Sequence, residues 1–255
     1  MLRFCANLSL LFRELPLLER LAAARAQGFT AVEIQLPYEV PARALATAAA
    51  QAGLPIVLIN APLGPEPRSP GTACRREHAR SFRESLERAA EYAAGLGVPC
   101  VNVLAGVARP QERPDCLRQL AEHLAVAADV LAGAGARALL EAINPLDVPD
   151  YCVPSFELAD QVLADSDPRV GLQFDVYHAA RMGLEPAQVF AARRARIAHI
   201  QFADCPGRHE PGTGTLPFPE IFAAIRRSDY PGWVGAEYHP RGATATSLGW
   251  LAQYS

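Results

Sequence analysis

The amino-acid sequence predicts an α/β protein, built as one closed (β/α)8 barrel of parallel strands. Strand-like apolar runs alternate with helical patterns eight times along the chain, and no strand-like run is left over. The length of 255 residues suits a single barrel of this kind. No Ser/Gly-rich linker and no break in composition divides the chain. We therefore predict one domain, over residues 1–255.

The predicted strands are near-continuous apolar runs, as expected where a parallel strand is buried on both faces. The intervals between successive runs leave room for one crossover helix and its loops. In chain order the predicted strands are Leu2–Ala6, Ala31–Ile34, Pro55–Ile59, Cys100–Leu104, Arg137–Leu140, Val170–Phe174, Ile197–Phe202 and Trp233–Ala236.

The predicted helices lie between these strands, and a short helical segment follows the last one. They are Leu17–Gln27, Ala42–Ala52, Arg76–Ala94, Cys116–Ala132, Phe156–Ala164, Pro186–Arg194, Pro219–Arg227 and Ala243–Leu251. Four of them are predicted to end before a glycine, the residue that most readily adopts the left-handed conformation found there: Gly28, Gly53, Gly95 and Gly133. Two prolines, Pro154 and Pro186, stand where a helix can begin.

The composition argues against several classes of protein. A net charge of −3 gives no general attraction to nucleic acid or to an anionic membrane surface. The chain starts directly with a predicted strand, without the apolar core and cleavage site of a signal peptide. The Ala-rich stretch 44–63 is interrupted by Gln51, Pro55 and Asn60, which argues against a membrane span. We expect a soluble, cytoplasmic protein.

The six cysteines are widely scattered and form no CxxC pair, so we expect buried thiols without a functional role. The absence of lysine is more informative, since all 24 basic residues are arginine. An enzyme without lysine cannot form a Schiff base with its substrate or with pyridoxal phosphate. Chemistry through a carbanion or an enolate would therefore need a metal.

Four predicted strands end on a side chain with a ligand oxygen: Glu141, Asp175, Gln201 and Glu237. Catalytic groups of parallel barrels lie at the carboxyl ends of the strands, so we expect these four to form one metal site. Three carboxylates and an amide oxygen suit Mg²⁺ or Mn²⁺ better than zinc. Taken singly, each side chain has the alternative of capping a helix or pairing with an arginine.

Two more side chains near these strand ends are candidates for binding a substrate. His178 follows Asp175, and we expect it in a loop, within reach of a substrate carbonyl or hydroxyl. Arg208 follows Gln201 and has the planar geometry that binds a carboxylate. The alternatives are a loop histidine bonded to backbone and a solvated surface arginine.

Six segments carry a resemblance to a known family that runs nearly end to end. They are FCANLSLLF at 4–12, AVEIQLPYE at 31–39, LLEAINPLDVP at 139–149, QFDVYHAARM at 173–182, HIQFADCPGRHEPGTG at 199–214 and GWVGAEYHP at 232–240. Together they resemble the hydroxypyruvate isomerase family of xylose-isomerase-like TIM barrels, which includes 2-oxo-tetronate isomerases.

The resemblance implies that Glu141, Asp175, Gln201 and Glu237 bind the metal and that Glu141 and Glu237 are also the catalytic acid/base pair. Asn60 joins His178 and Arg208 as a candidate substrate-binding residue. After Asn60-Ala-Pro, family members usually carry a glycine- and tryptophan-containing loop. This chain has the proline-rich stretch 63–71 there, so the resemblance implies the reaction type and leaves the choice of substrate open.

The expected reaction is an aldose–ketose type isomerisation of an α-hydroxy carbonyl compound. The metal would chelate the carbonyl and hydroxyl oxygens, and one glutamate would remove the proton between them to give a cis-enediolate. Hydroxypyruvate would yield tartronate semialdehyde, as in glyoxylate and carbohydrate metabolism, with Arg208 on the carboxylate. The Gly212-Thr-Gly214 segment is too short for a dinucleotide fingerprint, so no redox cofactor is expected.

Other functions stay open from the sequence. The same metal site would serve a 2-oxo-tetronate isomerase or a ketose 3-epimerase. A metal-dependent hydrolase or endonuclease on the same barrel, or a barrel that binds a ligand without turnover, belongs to a different class. The expected partner is a small hydroxy-oxo acid, with neither nucleic acid nor membrane, and a homo-oligomer is possible.

Overall fold

The computed structural model describes residues 1–64 and 69–254. Its strands form a closed parallel barrel in chain order, from β1 to β8, which confirms the predicted (β/α)8 fold. Each strand lies within two residues of its predicted bounds at either end. The strands are β1 Phe4–Asn7, β2 Val32–Ile34, β3 Ile56–Asn60, β4 Cys100–Asn102, β5 Arg137–Glu141, β6 Gly171–Asp175, β7 Ile197–Phe202 and β8 Val234–Ala236.

The helices follow the strands as predicted, with one addition, α6. They are α1 Leu17–Ala26, α2 Ala42–Ala52, α3 Ala79–Leu96, α4 Arg113–Gly133, α5 Phe156–Asp165, α6 Val176–Arg181, α7 Pro186–Arg193, α8 Phe218–Arg227 and α9 Gly249–Tyr254. Short 3-10 turns at Arg76–His78 and Thr244–Ser247 precede α3 and α9.

The chain divides into two compact units, one of Met1–Val57 with Phe174–Ser255 and one of Leu58–Gln173. In the first unit β1 pairs with both β2 and β8, in the registers Ala6↔Val32 and Ala6↔Ala236. In the second unit β4 pairs with β3 and β5, and Glu141 of β5 is the register partner of Gln173. That these units form one domain stays a prediction.

Edge-to-face aromatic packing fills the first unit. The Trp250 ring of α9 lies 5.2 Å from Phe4 of β1 and 5.0 Å from Phe202 of β7, between ring centroids. The Trp250 indole nitrogen also donates to the hydroxyl of Tyr238 at 3.1 Å. Such packing adds to the burial energy of the rings. It fixes β1 and β7, the strands that carry much of the polar cluster described below.

In the second unit α4 contributes a row of buried leucines, among them Leu120 and Leu124. His123 on the same helix donates from Nδ1 to the carbonyl of Ala73 at 2.7 Å, and its ring stacks on that of Phe82 with centroids 4.8 Å apart. Gly71 lies so close to the backbone of Leu104 that a Cβ at position 71 would be 2.1 Å from the Leu104 carbonyl oxygen. Four residues of the predicted proline-rich stretch, 65–68, lie outside the described residues.

Two predicted helix ends were wrong. Gly95 lies inside α3, which continues to Leu96 and ends at Gly97, with φ of +66°. Gly133 lies at the end of α4 rather than beyond it. A helix tolerates an internal glycine when its neighbours are packed, as Tyr92 and Ala93 are here. Gly53, by contrast, takes the predicted left-handed position after α2, with φ of +64°.

Four of the cysteines are buried thiols as predicted, and Cys100 and Cys205 are partly exposed. Among the described residues no helix is both long and apolar enough to cross a membrane.

Candidate metal and active site

Asp175, Gln201 and Glu237 of the first unit lie where the sequence predicts them, at the end of β6, in β7 and just after β8. All three are buried. Arg208 connects two of them, because its Nη2 donates to Asp175 Oδ2 at 3.2 Å and to Glu237 Oε2 at 2.5 Å. Two carboxylates thus converge on one cationic group. Convergence of this kind is what a shared metal ion would require.

Glu237 has amide neighbours as well. The Gln35 side-chain nitrogen donates to Glu237 Oε1, and that of Asn7 lies 3.4 Å from the same oxygen. Burial raises the pKa of Glu237 to about 7; the negative charges of Asp175 and Glu33 act in the same direction and Arg208 opposes them. A carboxyl group with a pKa near neutrality can both release and take up a proton under ordinary conditions.

Asp175 ends β6 and at the same time begins α6, since its Oδ1 accepts from the Tyr177 backbone N–H at 2.8 Å. His178 therefore lies in a helix, and its predicted loop position was wrong. The His178 side chain is buried, with Nε2 3.5 Å from Asp175 Oδ2. Burial, reinforced by the charge of Arg208, holds the pKa of His178 well below its usual value. His178 is thus a neutral imidazole at physiological pH.

The side chain of Gln201 is oriented by a buried glutamate that the sequence analysis missed. Gln201 Nε2 donates to Glu33 Oε1 at 2.7 Å, and Asn7 Nδ2 donates to the same oxygen at 2.8 Å. His199 Nε2 lies 2.6 Å from Glu33 Oε2. Burial alone would raise the pKa of Glu33, but the charge of His199 and these hydrogen bonds lower it below its ordinary value. An ionised carboxylate accepts only, so the amide of Gln201 turns its nitrogen toward Glu33.

Arg208 belongs to a loop that is organised by a second missed acid, Asp204. The fully buried Asp204 carboxylate accepts four backbone N–H bonds of 2.8–3.1 Å, from Cys205, Gly212, Gly214 and Leu216. Arg208 itself has φ of +56°, unusual for a side chain with a Cβ, and its backbone N–H donates to the Asp204 carbonyl. Its guanidinium lies 4.9 Å above the Tyr177 ring. The loop therefore holds Arg208 in one defined conformation.

The second unit carries the other predicted site residues. Glu141 ends β5 and is buried, and its Oε2 accepts from Asn102 Nδ2 at 2.8 Å and from Gln173 Nε2 at 3.0 Å. Both donors approach one oxygen of the carboxylate. Asn60 ends β3 and is the register partner of Asn102. Each of these predicted residues thus lies at or beside a strand end, as expected.

The donor chemistry of the first unit fits a hard divalent cation. Asp175 and Glu237 supply carboxylate oxygens, and the hydrogen bond with Glu33 leaves Gln201 an oxygen donor. Oxygen ligands of this type are those preferred by Mg²⁺ and Mn²⁺.

Two of the missed residues, Glu33 and His199, share one feature: each is a polar side chain inside an apolar strand. Glu33 stands between Val32 and Ile34, and His199 stands in the run Ile197–Phe202. A charged group in such a run is costly unless it is paired, which is the signal that would have identified both.

Comparison with known proteins shows the family. Residues 21–254 match the model of a family described as "Xylose isomerase-like TIM barrel". A protein of Pectobacterium atrosepticum named 2-oxo-tetronate isomerase is 38% identical over 254 residues, with 97% of this chain and 96% of that protein covered. A protein of Escherichia coli named hydroxypyruvate isomerase is 35% identical over 257 residues, and both chains are covered completely.

Solved structures give the same fold. A Brucella melitensis protein described as an AP endonuclease, family 2, superposes with a TM-score of 0.94 at 34% identity, with 100% of this chain and 99% of that chain covered. An L-ribulose 3-epimerase superposes with a TM-score of 0.80 at 21% identity, a likeness of fold alone. The full-length relatives make this chain an enzyme of the isomerase class. The chain belongs to the xylose isomerase-like TIM barrel family.

Proposed function

We propose that this isomerase acts on a short hydroxy-oxo acid and requires a divalent metal, Mg²⁺ or Mn²⁺. Its proposed ligands are Asp175, Gln201 and Glu237 of the first unit and Glu141, which is assigned by its place at the end of β5. Bound there, the metal would polarise the carbonyl and hydroxyl oxygens of the substrate and so acidify the proton between them.

The observation that carries the proposal is the position of Arg208. Its guanidinium lies against two buried carboxylates, at 2.5 Å from Glu237 and 3.2 Å from Asp175. An arginine at this place supplies the planar donor pair that binds a carboxylate. A substrate acid held by Arg208 would therefore have its reacting carbons beside Glu237. A neutral sugar offers this cation only uncharged oxygens and would gain less from it.

The proposed roles of the other side chains follow from their positions. Glu237, which is buried and lies beside Arg208, is proposed to take the proton from the carbon next to the carbonyl. Glu237 would then return that proton to the neighbouring carbon, and Glu141 is proposed as the second acid/base group, which moves the hydroxyl proton to the former carbonyl oxygen. His178 stays neutral and offers a hydrogen bond to a substrate oxygen. Asn60 is proposed to contact the substrate from the end of β3.

Two substrates of this class are supported. Conversion of hydroxypyruvate into tartronate semialdehyde suits the acid-binding Arg208. A similar reaction, the isomerisation of 2-oxo-tetronate, is favoured by three proteins named 2-oxo-tetronate isomerase that are 35–38% identical to this chain. The same metal and glutamates would serve both acids.

The endonuclease alternative is not supported by the histidines. Zinc sites of hydrolases rely on several histidine ligands. Here His199 bonds with Glu33, His123 with the Ala73 carbonyl and His209 with the His239 carbonyl. These imidazoles are engaged within the protein.

The test is a substrate panel with the purified protein and added Mn²⁺. Hydroxypyruvate, 2-oxo-tetronate, neutral ketoses and an abasic-site DNA are assayed in parallel. Turnover of one or both acids, lost on chelation, is the expected result. Turnover of ketoses alone, or cleavage of DNA, would contradict the proposal.

A further inference from the structure

The carboxylate of Glu33 is the most heavily hydrogen-bonded acid in the barrel strands of the first unit, although it lies outside the predicted ligand set. It is fully buried. Its Oε1 accepts from Gln201 and Asn7, and its Oε2 lies 2.6 Å from the His199 imidazole and 3.5 Å from the Cys5 thiol. A buried charge is kept only where such bonds compensate its lost hydration.

The fold makes room for this carboxylate at one position. Gly235 of β8 is the register partner of both Cys5 and Gln201. A Cβ on Gly235 would lie 2.4 Å from Glu33 Oε2 and 2.8 Å from Glu33 Cδ. The glycine is thus needed for space, because any side chain at 235 would displace the carboxylate of Glu33.

Glutamine is an ambiguous metal ligand, since its oxygen and its nitrogen have nearly the same shape and only the oxygen can bind a cation. An acceptor-only partner removes the ambiguity. With Gln201 Nε2 bound to Glu33 Oε1, the reverse orientation would set two oxygens against each other. The bond to Glu33 therefore selects the orientation in which the nitrogen is used inside the protein and the oxygen is the donor.

We propose that Glu33 is a positioning residue, which fixes the amide of Gln201 so that its oxygen serves the metal. The inference rests on the proposed metal-dependent function and adds a residue that does not touch the metal. Groups that orient a ligand in this way typically contribute 10- to 100-fold in metal affinity. Asn7 links Glu33 to a second proposed ligand, because its side-chain nitrogen donates to Glu33 and lies 3.4 Å from Glu237.

The experiment measures the dissociation constant for Mn²⁺ by titration of the chelator-treated protein, with free Mn²⁺ followed by electron paramagnetic resonance. Glu33→Gln removes the acceptor-only partner and should weaken Mn²⁺ binding by roughly 10- to 100-fold. Gly235→Ala keeps the charge of Glu33 but displaces it, and a loss of similar size is expected. Cys5→Ala, which removes another buried neighbour of Glu33, is the matched control and should change affinity less than about twofold.

A double-mutant cycle tests whether Glu33 acts through Gln201. In the Gln201→Ala background the further change Glu33→Gln should cost little, because the amide it would orient is gone. Thermal unfolding of each variant measures any purely structural role separately. Glu33→Gln or Gly235→Ala proteins that unfold at lower temperature but bind Mn²⁺ like the wild type would overturn the inference, as would a full loss in the Gln201→Ala background. Failure of the wild type to bind Mn²⁺ would instead refute the proposed function.

Discussion

Arg208 and Glu237 form an ion pair of 2.5 Å that joins the loop after β7 to the end of β8. The Arg208 side chain is only 21% exposed and the Glu237 side chain only 4%, so water screens the pair weakly. The cation that we propose for the substrate thus lies directly beside the proposed base. In this proposal the group that binds the substrate and the group that moves its proton contact each other directly.

Arg208→Met should separate acid substrates from neutral ones. The variant loses a charge-assisted contact with the substrate carboxylate, worth about 2–3 kcal/mol, so KM for hydroxypyruvate or 2-oxo-tetronate should rise roughly 30- to 150-fold. KM for a neutral ketose should change much less. Steady-state kinetics on both substrate types give the comparison, with the exposed Arg80→Met as control. An equal loss on both types would show that Arg208 acts on the loop or on a hydroxyl instead.

Removal of the metal should abolish turnover. The proposed ligand oxygens of Asp175, Gln201 and Glu237 suit a hard divalent cation, and in this proposal the substrate proton is too weakly acidic to be removed without the metal. Activity is measured after exhaustive chelation and again after addition of Mg²⁺, Mn²⁺ or Zn²⁺. Recovery with the first two ions is expected. Full activity after chelation would rule out the metal requirement.

Glu237→Gln and Glu141→Gln should each lower kcat by about two or more orders of magnitude, the usual scale for a general acid or base. Both side chains end or follow a strand rather than fill the hydrophobic core, so the barrel should still fold. Circular dichroism checks the fold, and Glu84→Gln on the exposed face of α3 is the control. Near-normal turnover of either variant would remove that residue from the acid/base pair.

The pKa of Glu237 also predicts how stability depends on pH in the chelated protein. The ordinary value is 4.5 and the folded value is about 7, so between these pH values the folded state holds a proton that the unfolded state has released. This proton on Glu237 stabilises the folded state fully below pH about 4.5. The stabilisation is lost as pH rises through about 7, at no more than about 1.4 kcal/mol per pH unit.

Urea unfolding of the chelated wild type and of Glu237→Gln, at a series of pH values from about 4 to 8, measures this contribution. The free energy of unfolding of the wild type, relative to that of Glu237→Gln, should fall steadily as pH rises from about 4.5 to about 7. Two parallel pH profiles would show that the pKa of Glu237 is not raised by folding.

Asp204→Asn should loosen the loop that carries Arg208. The amide that replaces the carboxylate sets an N–H group against backbone donors that Asp204 now accepts, at a cost of about 2–3 kcal/mol in the free energy of unfolding. KM for the acid substrate should rise with it, while the affinity for Mn²⁺ should stay near the wild-type value. The exposed Asp165→Asn serves as control. An unchanged KM in the variant would show that Asp204 does not position Arg208 for the substrate.

The sequence predicted the strands well because their signal is local. Apolar runs such as Val170–Phe174 are bounded by polar residues, here Arg169 and Asp175, and at four strands a proposed ligand lies at or next to the end of the run. Helix α6 was missed although Asp175 is a good helix N-cap, because the same carboxylate also suits a metal ligand at a strand end. We propose that this one side chain serves both purposes.

Glu33 could not be placed from the sequence, because its partners are distant along the chain. Its bonds reach His199 and Gln201, 166 and 168 residues away. Period and composition report on near neighbours and say nothing of which strands lie across the barrel. The proposed role of Gln201 as an oxygen donor followed from its place near the end of a predicted strand, and the reason for its orientation needed the structure.

The four bonds to Asp204 have a consequence for how this enzyme can change over evolution. Since the chain orders the Arg208 loop during folding, a substrate does not bear the entropy of arranging it. The frame of the loop consists of the Asp204 carboxylate and four backbone N–H groups, so an exchange of another loop side chain leaves these bonds in place. We therefore expect the preference among acid substrates to change through single substitutions on a constant scaffold, without an insertion or a rebuilt loop.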